Sequence, residues 1–576
     1  MLAACLIYLP LWFSGGVNAP VVGEAEPWAP APESYALISV SGSVPLDPDG
    51  QWITAVRSAG LQGLIVHFPY STGGPEGAKL GDWEKVCASK GLTLGLSFGE
   101  RPSRERLEGL LKSCQALFCV SLPAQIECLV EEVALEVLVG ELMPMALGLG
   151  MTPGDEPHYL DGTDMPIAPG RPPNESVFSL DAIRAWPLAR GQRVEDGWVA
   201  AYDQSVGHGR YVRLDLELDA AGRLRPDDLD LLTRCGVAMR QIYGTNRVTG
   251  SGASASSEDS DAHHLASACL DGDVGSYWTP APGTRRAFLE FTLPRERIID
   301  RVLLRAPLGV PEPDVAVDVH LKIHGVWREV KKTTGIGRCR ILSVEPAPAT
   351  ALRVILDGGD QRPSLAACEL YASPPRVTID ASETVFLGAA RVALESNYPG
   401  AQVRYTLDGK AVTAESLLYR MPFVVDQTCV LKAVAFATDG STPISSHQHF
   451  VHYTPETLRK PEFAGPTELG AGLVQSDSDL PMSSWSGFLL VPRDGIYAFF
   501  KPESGRTRLF IGDGDLFGST SRMGEVGLKA GWHALHLTCP APVDPAELQL
   551  AWRGPGLAKG VLPQGNLGHR VGKDRR

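Results

Sequence analysis

No two cysteines in this chain are spaced as CxxC, although there are 11 cysteines among 576 residues. Paired cysteines of that spacing are typical of zinc and thioredoxin-like sites, so the sequence argues against both. Single cysteines scattered along a chain usually behave as small, buried apolar residues. Cys269 and Cys368 fall in one predicted domain and could pair, but their spacing does not decide it.

The chain also lacks an apolar run long enough to span a membrane as a helix. Its longest early run, Leu2–Phe13, is followed by small residues and by Val17-Asn18-Ala19, an acceptable cleavage site. No Lys or Arg precedes that run, and Pro20 follows the cleavage site. We expect residues 1–19 to be a signal peptide and the protein to be secreted, periplasmic or at the cell surface.

Basic charge is scarce as well. Lys and Arg number 53 against 67 Asp and Glu, which gives a formal net charge of −14. Such a balance argues against nucleic acid or an anionic membrane surface as the main partner. The exception is a short basic tail, residues 559–576, which we interpret as a solvated end.

The sequence shows no internal repeat, and its length predicts three to five domains. Pro-rich seams run from Pro20 to Pro32, through Ser373–Pro375, and from Thr454 to Pro466. The many turns implied by 61 glycines and 45 prolines are typical of all-β modules. We therefore expect a linker over residues 20–33 and a change of architecture near Thr245.

Residues 34–245 alternate short apolar strands with amphipathic helices, which predicts parallel strands and a trimmed (β/α) TIM-like barrel. The last predicted helix has Pro226 at its start, followed by Asp227 and Asp228. The predicted strands are Tyr35–Val40, Gly63–His67, Leu92–Phe98, Ala116–Leu122, Leu135–Val139, Ala146–Gly150 and Tyr211–Leu218, with helices that include Ser103–Cys114 and Ala124–Ala134.

Beyond Thr245 the hydrophobic period changes from helical to alternating. Leu289, Phe291 and Leu293, and then Val315 through Ile323, alternate strictly with polar residues, as in half-buried antiparallel strands. Asp408-Gly409 is a hairpin turn signal. The sequence thus predicts three all-β sandwich or barrel modules in series, over residues 246–373, 374–453 and 460–558.

Several motifs in the first region resemble those of the retaining α-L-fucosidases of glycoside hydrolase family 29. Tyr35-Ala36-Leu37-Ile38 resembles their first barrel strand, and Gly91 to Leu96 resembles their third. The stretch from Ser205-Val206-Gly207 to Gly222, with the helix that ends at Tyr243-Gly244-Thr245-Asn246, resembles their closing segment. The resemblance covers most of residues 35–246 and implies a (β/α) barrel directed at glycans.

The same resemblance implies two catalytic carboxyl groups, one nucleophilic and one acid/base. The stretch that matches the nucleophile strand has Gly140 at the catalytic position, and the stretch that matches the acid/base loop has Gly162. The family's sugar-binding histidines are also replaced, by Ser39 and by Pro69-Tyr70-Ser71-Thr72. Because glycine can neither attack a sugar nor transfer a proton, we expect a catalytically inactive homologue.

An alternative stays open, because Glu141 and Asp161 each lie one position from a catalytic slot. A bulge or a shift of one residue could restore both carboxylates. A simple shift along a strand, however, would turn the side chain to the opposite face. Glu141 and Asp161 are therefore either displaced catalytic groups or solvated loop carboxylates.

Residues 246–373 resemble a discoidin-type carbohydrate-binding sandwich, on Leu270-Asp271-Gly272-Asp273 with Ser276-Tyr277-Trp278 and on the closing Leu365 to Tyr371. Glycan-binding relatives hold a structural Ca²⁺ at this loop. The resemblance implies Asp271, Asp273, Ser276 and Glu369 as ligands, all with the hard oxygen atoms that calcium prefers. A plain Asp-Gly turn is the alternative, and Trp278 is expected in the core.

The last two modules resemble two further families. Val403 to Gly409, with Val430 to Phe436, resembles the C-terminal sandwich of chitobiases and hexosaminidases, which implies a spacer. Gly487-Phe488-Leu489 and Asp494 to Phe499 resemble the protective-antigen-type lectin barrel. Asp513 and Asp515 are the calcium candidates there.

Two functional hypotheses follow from these patterns. The first is an exported, catalytically inactive fucosidase-like protein that binds glycans, fucosylated ones included. The second is an active retaining α-L-fucosidase that uses displaced carboxylates. The glycine residues at positions 140 and 162 favour the first.

Overall fold

The computed structural model divides into two compact units. One comprises Met1–Gly50, Leu61–Asp155 and Ala220–Gly222, and the other comprises Gln51–Gly60, Glu156–Asp219 and Arg223–Arg576. The structure describes residues 34–39, 51–68, 85–98, 117–121, 175–188, 192–219, 222–272, 276–307, 315–337, 339–463, 469–476, 482–501, 507–517, 523–540 and 550–570.

The first unit is built on four parallel strands, and each pairs with the next along the chain. Leu64, Val66 and Leu94 are buried, and all three lie on one face of the sheet. All four lie within about a residue of the strands predicted for this stretch. They are β1 Ser34–Ser39, β2 Gly63–Phe68, β3 Thr93–Phe98 and β4 Leu117–Ser121.

The second unit begins with helices and one pair of parallel strands. The Ser179 side chain caps the first turn after β5 by accepting a hydrogen bond from the Ala182 N–H. The elements are α1 Gln51–Ser58, β5 Glu175–Ser179, α2 Leu180–Arg184, α3 Val194–Ser205, β6 Tyr211–Leu216 and α4 Pro226–Tyr243.

The structure confirms α4 with the start predicted from Pro226 and the two following aspartates. It also shows β5, which the sequence analysis missed. A closed barrel is not seen among the strands that the structure describes. Four predicted elements, Leu135–Val139, Ala146–Gly150, Ser103–Cys114 and Ala124–Ala134, lie outside the described residues.

A close contact between α1 and α4 organises the helical part of this unit. The α4 residue Gly236 approaches the backbone of Ser58 so closely that an added Cβ would lie 2.7 Å from the Ser58 carbonyl carbon. The indole N–H of the α3 residue Trp198 donates to the Ala59 carbonyl oxygen at 2.8 Å. These contacts fix α3 and α4 against the turn that follows α1.

The first all-β part is a mainly antiparallel sheet in the order β10-β9-β11-β8-β12, with β7 also paired to β8. Its core includes Trp278, which is fully buried as predicted and donates its indole N–H to the Ser257 carbonyl. The strands are β7 Gly252–Ala255, β8 Arg286–Arg305, β9 Ala316–Ile323, β10 Val326–Thr334, β11 Cys339–Asp357 and β12 Ala367–Tyr371.

The second all-β part has two sheets, β13-β15-β18 and β14-β20-β19-β16-β17. Its separate core is centred on Phe386, Leu431 and Phe450. Gly409 of the predicted Asp408-Gly409 hairpin turn has a φ of +73°, a left-handed conformation that glycine adopts without strain. The two residues lie in the ten-residue connection between the strands Gln402–Thr406 and Leu417–Leu418, so they do not form a two-residue hairpin loop. The strands are β13 Val377–Ala381, β14 Val385–Phe386, β15 Ala390–Ser396, β16 Gln402–Thr406, β17 Leu417–Leu418, β18 Phe423–Val425, β19 Cys429–Phe436 and β20 Ser446–His452.

The third all-β part again has its own core, which includes Tyr497, Phe499 and Trp552. One sheet has the order β21-β31-β23-β28-β25-β26 with β22 paired to β23, and the other has the order β27-β24-β29-β30. The strands are β21 Leu469–Ala471, β22 Val474–Ser476, β23 Met482–Val491, β24 Gly495–Phe500, β25 Arg508–Ile511, β26 Gly514–Asp515, β27 Met523–Leu528, β28 Gly531–Pro540, β29 Ala551–Gly554, β30 Leu557–Val561 and β31 Leu567–Arg570.

The described cysteines and helices fit the expectations from composition. Five of the cysteines are buried free thiols, and Cys429 is half-buried. Cys269 and Cys368, the pair left open by their spacing, are both buried thiols here.

No helix in the described ranges is both long enough and apolar enough to cross a membrane.

Candidate functional site

The residues predicted at the catalytic slots, Gly140, Glu141, Asp161 and Gly162, lie outside the described residues. The segment 69–72, which aligns with the family's paired histidines, lies outside them as well. Ser39 ends β1 and is in register with His67 of β2. The replacement of both catalytic carboxylates by glycine therefore stays a prediction.

Two of the four predicted calcium ligands meet directly. The Ser276 hydroxyl donates to Asp271 Oδ2 at 2.6 Å, so two hard oxygen atoms suited to Ca²⁺ lie together at this loop. Asp273, between them in sequence, lies outside the described residues. Among the residues that the structure describes, no three His, Cys, Asp or Glu side chains converge as a metal site.

The fourth predicted ligand, Glu369, has other partners. It lies on β12 between the buried residues Cys368 and Leu370. Its carboxylate accepts a hydrogen bond from the Tyr371 hydroxyl and lies 3.6 Å from Arg305 Nε. Neither partner was predicted from the sequence, and the four-residue calcium site stays a prediction.

The second unit has a cleft of about 880 Å³ among its described residues. One wall is α3, the opposite wall comes from β10 and the start of β11, and the third side comes from the chain that leads into β13. We call this concavity the α3 cleft. Sequence analysis missed it, because its α3 wall lies more than 100 residues along the chain from the other two.

A network of charged groups reaches the α3 cleft, which Asp203, Arg301 and Ser373 line. Arg301 Nε donates to Asp203 Oδ2 at 3.0 Å, and its Nη1 donates to Asp300 Oδ1 at 2.9 Å and to the Ser373 hydroxyl at 2.8 Å. The Tyr243 hydroxyl donates to the other oxygen of Asp203. This network ties α3 and α4 to the first all-β part.

The protonation of these groups follows from their burial and pairing. Burial raises the pKa of the Asp203 carboxyl, although Arg301 and Tyr243 act in the opposite direction. Burial tends to lower the pKa of Arg301, but the neighbouring carboxylates of Asp203 and Asp300 raise it. Arg301 therefore stays a cation, and Asp203 is held as its structural partner.

The second carboxylate of the cleft is also paired with an arginine. Asp196 receives hydrogen bonds from Arg376 Nη1 at 2.5 Å and Nη2 at 3.2 Å, a two-point pair that is mostly buried. The same carboxylate accepts the backbone N–H of Arg193 and so caps α3. Both carboxylates that line the cleft are thus held by guanidinium groups, and neither resembles an acid/base pair prepared for catalysis.

Other polar groups in the cleft are left open. The side chains of Gln204, Lys331, Thr333 and Thr378 line it, and none of the four has a hydrogen-bond partner within the described ranges. They are an amide, an ammonium group and two hydroxyls, and they come from all three sides. This arrangement can bind a polar ligand through several simultaneous hydrogen bonds.

Comparison with known sequences identifies one part of the chain. The sequence profile of the chitobiase/β-hexosaminidase C-terminal domain matches residues 380–446, within the second all-β part. No curated protein matches the chain.

Comparison with solved structures gives distant similarities. A family 29 fucosidase from Ruminococcus gnavus, in complex with fucose, is 13% identical, with 59% of this chain and 92% of that chain covered and a TM-score of 0.47. A glycoside hydrolase 29 family member from an unknown rumen bacterium is 10% identical over 89% and 94% of the two chains, with a TM-score of 0.39.

A carbohydrate-binding module from Clostridium perfringens, in complex with GalNAc-β-1,3-galactose, is 19% identical and covers 22% of this chain and 98% of its own, with a TM-score of 0.21. Because all three TM-scores are below 0.5, no residue's role is carried over from these structures.

Proposed function

We propose that this protein binds glycans in the α3 cleft without cleaving them, and that the catalytic carboxylates of its fucosidase-like (β/α) barrel are replaced by glycine. The observation that carries the binding role is the α3 cleft, where both carboxylates are held by arginines while an amide, an ammonium group and two hydroxyls stay open. The match of residues 380–446 to a domain of carbohydrate-active enzymes supports the glycan as ligand.

The chemistry of the open groups suits a saccharide. A sugar hydroxyl both donates and accepts hydrogen bonds, as do the Gln204 amide and the Thr333 and Thr378 hydroxyls. A volume of about 880 Å³ lies within the range of about 300–1,000 Å³ that is usual for small-ligand sites. The cleft is therefore large enough to enclose a short oligosaccharide, fucosylated or not.

A glycan array probed with the full chain tests the binding role. Gln204→Ala and Thr333→Val are expected to weaken binding of a positive glycan at least tenfold, because each removes a hydrogen-bonding group from the cleft. Gln361→Ala, at an exposed position outside the cleft, is the matched control and should bind like wild type. If the cleft variants bind like the control, the α3 cleft is not the glycan site.

The alternative function is a retaining α-L-fucosidase that uses Glu141 and Asp161. An aryl α-L-fucoside distinguishes the two functions, because only an active enzyme releases the phenol. We expect no turnover by wild type above that of the Glu141→Ala and Asp161→Ala variants. Turnover that either substitution abolishes would establish the enzyme and overturn the proposal of inactivity.

We also propose that Asp271, Asp273, Ser276 and Glu369 hold a structural Ca²⁺, supported by the hydrogen-bonded Asp271–Ser276 pair. Calcium is expected to raise the unfolding temperature of the wild type and to have a smaller effect on Asp273→Asn. An equal calcium effect on both proteins would rule out this ligand set.

Export is proposed from residues 1–19 alone and is tested by fractionation of cells that express the chain with and without them.

A further inference from the structure

Two exposed histidines lie side by side on the last strand of the second all-β part. His447 and His449 are two residues apart on β20, so their side chains project from the same face of the sheet. Their ring centroids are 6.1 Å apart and the rings are nearly perpendicular, at 85°. Neither ring has a hydrogen-bond partner among the described residues.

The third histidine of the strand does not share this arrangement. His452 is stacked on Phe386, with ring centroids 5.4 Å apart, and its Nε2 lies 3.2 Å from the Leu387 carbonyl oxygen. His452 is three residues from His449, so its side chain projects from the opposite face of the strand. Two imidazoles, and not three, are therefore available at this surface.

We propose that His447 and His449 form a two-imidazole site for a late first-row divalent ion, with Cu²⁺ bound more tightly than Zn²⁺. Neutral imidazole is a common ligand of both ions, and affinity at nitrogen sites rises to Cu²⁺ in the divalent series. Metal–nitrogen distances of about 2.0–2.1 Å place two bound nitrogens roughly 3 Å apart. Both rings are exposed, so rotation about their side-chain bonds can bring the nitrogens to that separation without moving the strand.

The neighbouring strand sets the electrostatic environment of this site. On β19, Lys432 is in register with His447, and Val430 is in register with His449. Of these two cross-strand neighbours, only Lys432 carries a charge, and its ammonium group repels a cation. With two protein ligands and water in the remaining positions, the site should bind metal more weakly than a structural zinc site and should not be needed for folding.

Titration calorimetry with CuCl₂, and separately with ZnCl₂, tests the site on the full chain. His447→Asn and His449→Asn are each expected to remove one bound Cu²⁺ per chain or to weaken that site at least tenfold. Lys432→Thr is expected to tighten binding several-fold, because it removes the opposing charge.

Two comparisons make the test decisive. His263→Asn changes an exposed histidine outside the second all-β part and should leave the Cu²⁺ stoichiometry of this site unchanged. Circular dichroism should show that the His447 and His449 variants remain folded, since both side chains are exposed. Equal Cu²⁺ binding by wild type, His447→Asn and His449→Asn would overturn the proposal.

Discussion

Several hydrogen bonds at the junction between the first two all-β parts end on the carboxylate of Asp439. Its carboxylate accepts hydrogen bonds from Arg247 Nη1 and the Tyr398 hydroxyl, both at 2.9 Å, and from the Ser441 backbone N–H at 2.9 Å. Burial alone would raise the pKa of this carboxyl, but the Ser441, Tyr398 and Arg247 interactions lower it from 3.8 to about 2. The ionised form is therefore stabilised in the folded protein.

Asp439→Asn should lower the free energy of unfolding at pH 7 by about 1–2 kcal/mol, a figure reduced for solvent screening. Because the folded-state pKa lies below the unfolded one, the contribution of Asp439 is complete above about pH 5 and is lost as the pH falls toward 2. Roughly half should remain at pH 3. Differential scanning calorimetry of wild type and variant at pH 7 and pH 3 measures the difference.

Asp360→Asn is the matched control for this experiment. Asp360 pairs with Arg285 at 3.1 Å, but its side chain is 98% exposed. An exposed pair of this kind contributes little to stability, so the control should change the unfolding free energy by less than about 0.5 kcal/mol at either pH. A pH-independent loss in Asp439→Asn would contradict the assigned pKa.

At the scale of elements, the packing of α4 on α1 depends on the missing side chain of Gly236. Glycine in a helix interior is less favourable than alanine by about 1 kcal/mol, so its presence in the middle of α4 needs a cause. The cause is contact with the Ser58 backbone, which leaves no room for a Cβ and cannot be relieved by turning a side chain. Tertiary packing here outweighs helix propensity.

Gly236→Ala is accordingly expected to destabilise the protein by about 1–3 kcal/mol, the usual cost of overpacking a core. Urea denaturation followed by tryptophan fluorescence measures the change, because Trp198 lies in the same helical cluster. Gly388→Ala is the control, since an added Cβ there meets no atom within 4 Å. Equal midpoints for the two variants would show that α1 and α4 are not in close contact.

At the scale of the whole molecule, polar contacts join successive parts of the second unit. Arg376, just after the Ser373–Pro375 seam, pairs with Asp196 on α3. Farther along, the Thr384 hydroxyl donates to Glu525 on β27. Although each all-β part has its own hydrophobic core, these contacts fix one part against another, and the Asp196–Arg376 pair lines the α3 cleft.

Asp196→Asn should loosen the seam, because it removes the charge that holds Arg376 while it keeps an oxygen to cap α3. We expect proteinase K to cleave near residues 373–376 several times faster in this variant than in wild type, as judged by mass spectrometry of the fragments. Asp230→Asn removes the partner of an exposed i,i+4 pair with Arg234 and serves as the control. Unchanged cleavage at the seam would contradict the role of the Asp196–Arg376 pair.

The sequence alone predicted those features that depend on neighbours along the chain. The start of α4 followed from Pro226 and two aspartates, and the strands β1 to β4 followed from short apolar runs. The burial of Trp278 was expected from the resemblance to a discoidin-type sandwich. The missed strand, β5, has polar residues at both ends and only Val177 and Phe178 as a hydrophobic signal.

Only the tertiary structure decided the rest. The Asp196–Arg376 pair of the α3 cleft, the pairing of Asp439 with Arg247 and the placement of Glu369 beside Arg305 join residues about 60 to 190 positions apart. No local periodicity encodes such pairings, because they arise when separately folded layers meet and buried charges must find counter-charges. The sequence thus determined which parts of this protein are helical and which are all-β. The packing of these parts against one another determined which polar groups were paired and which stayed open to a ligand.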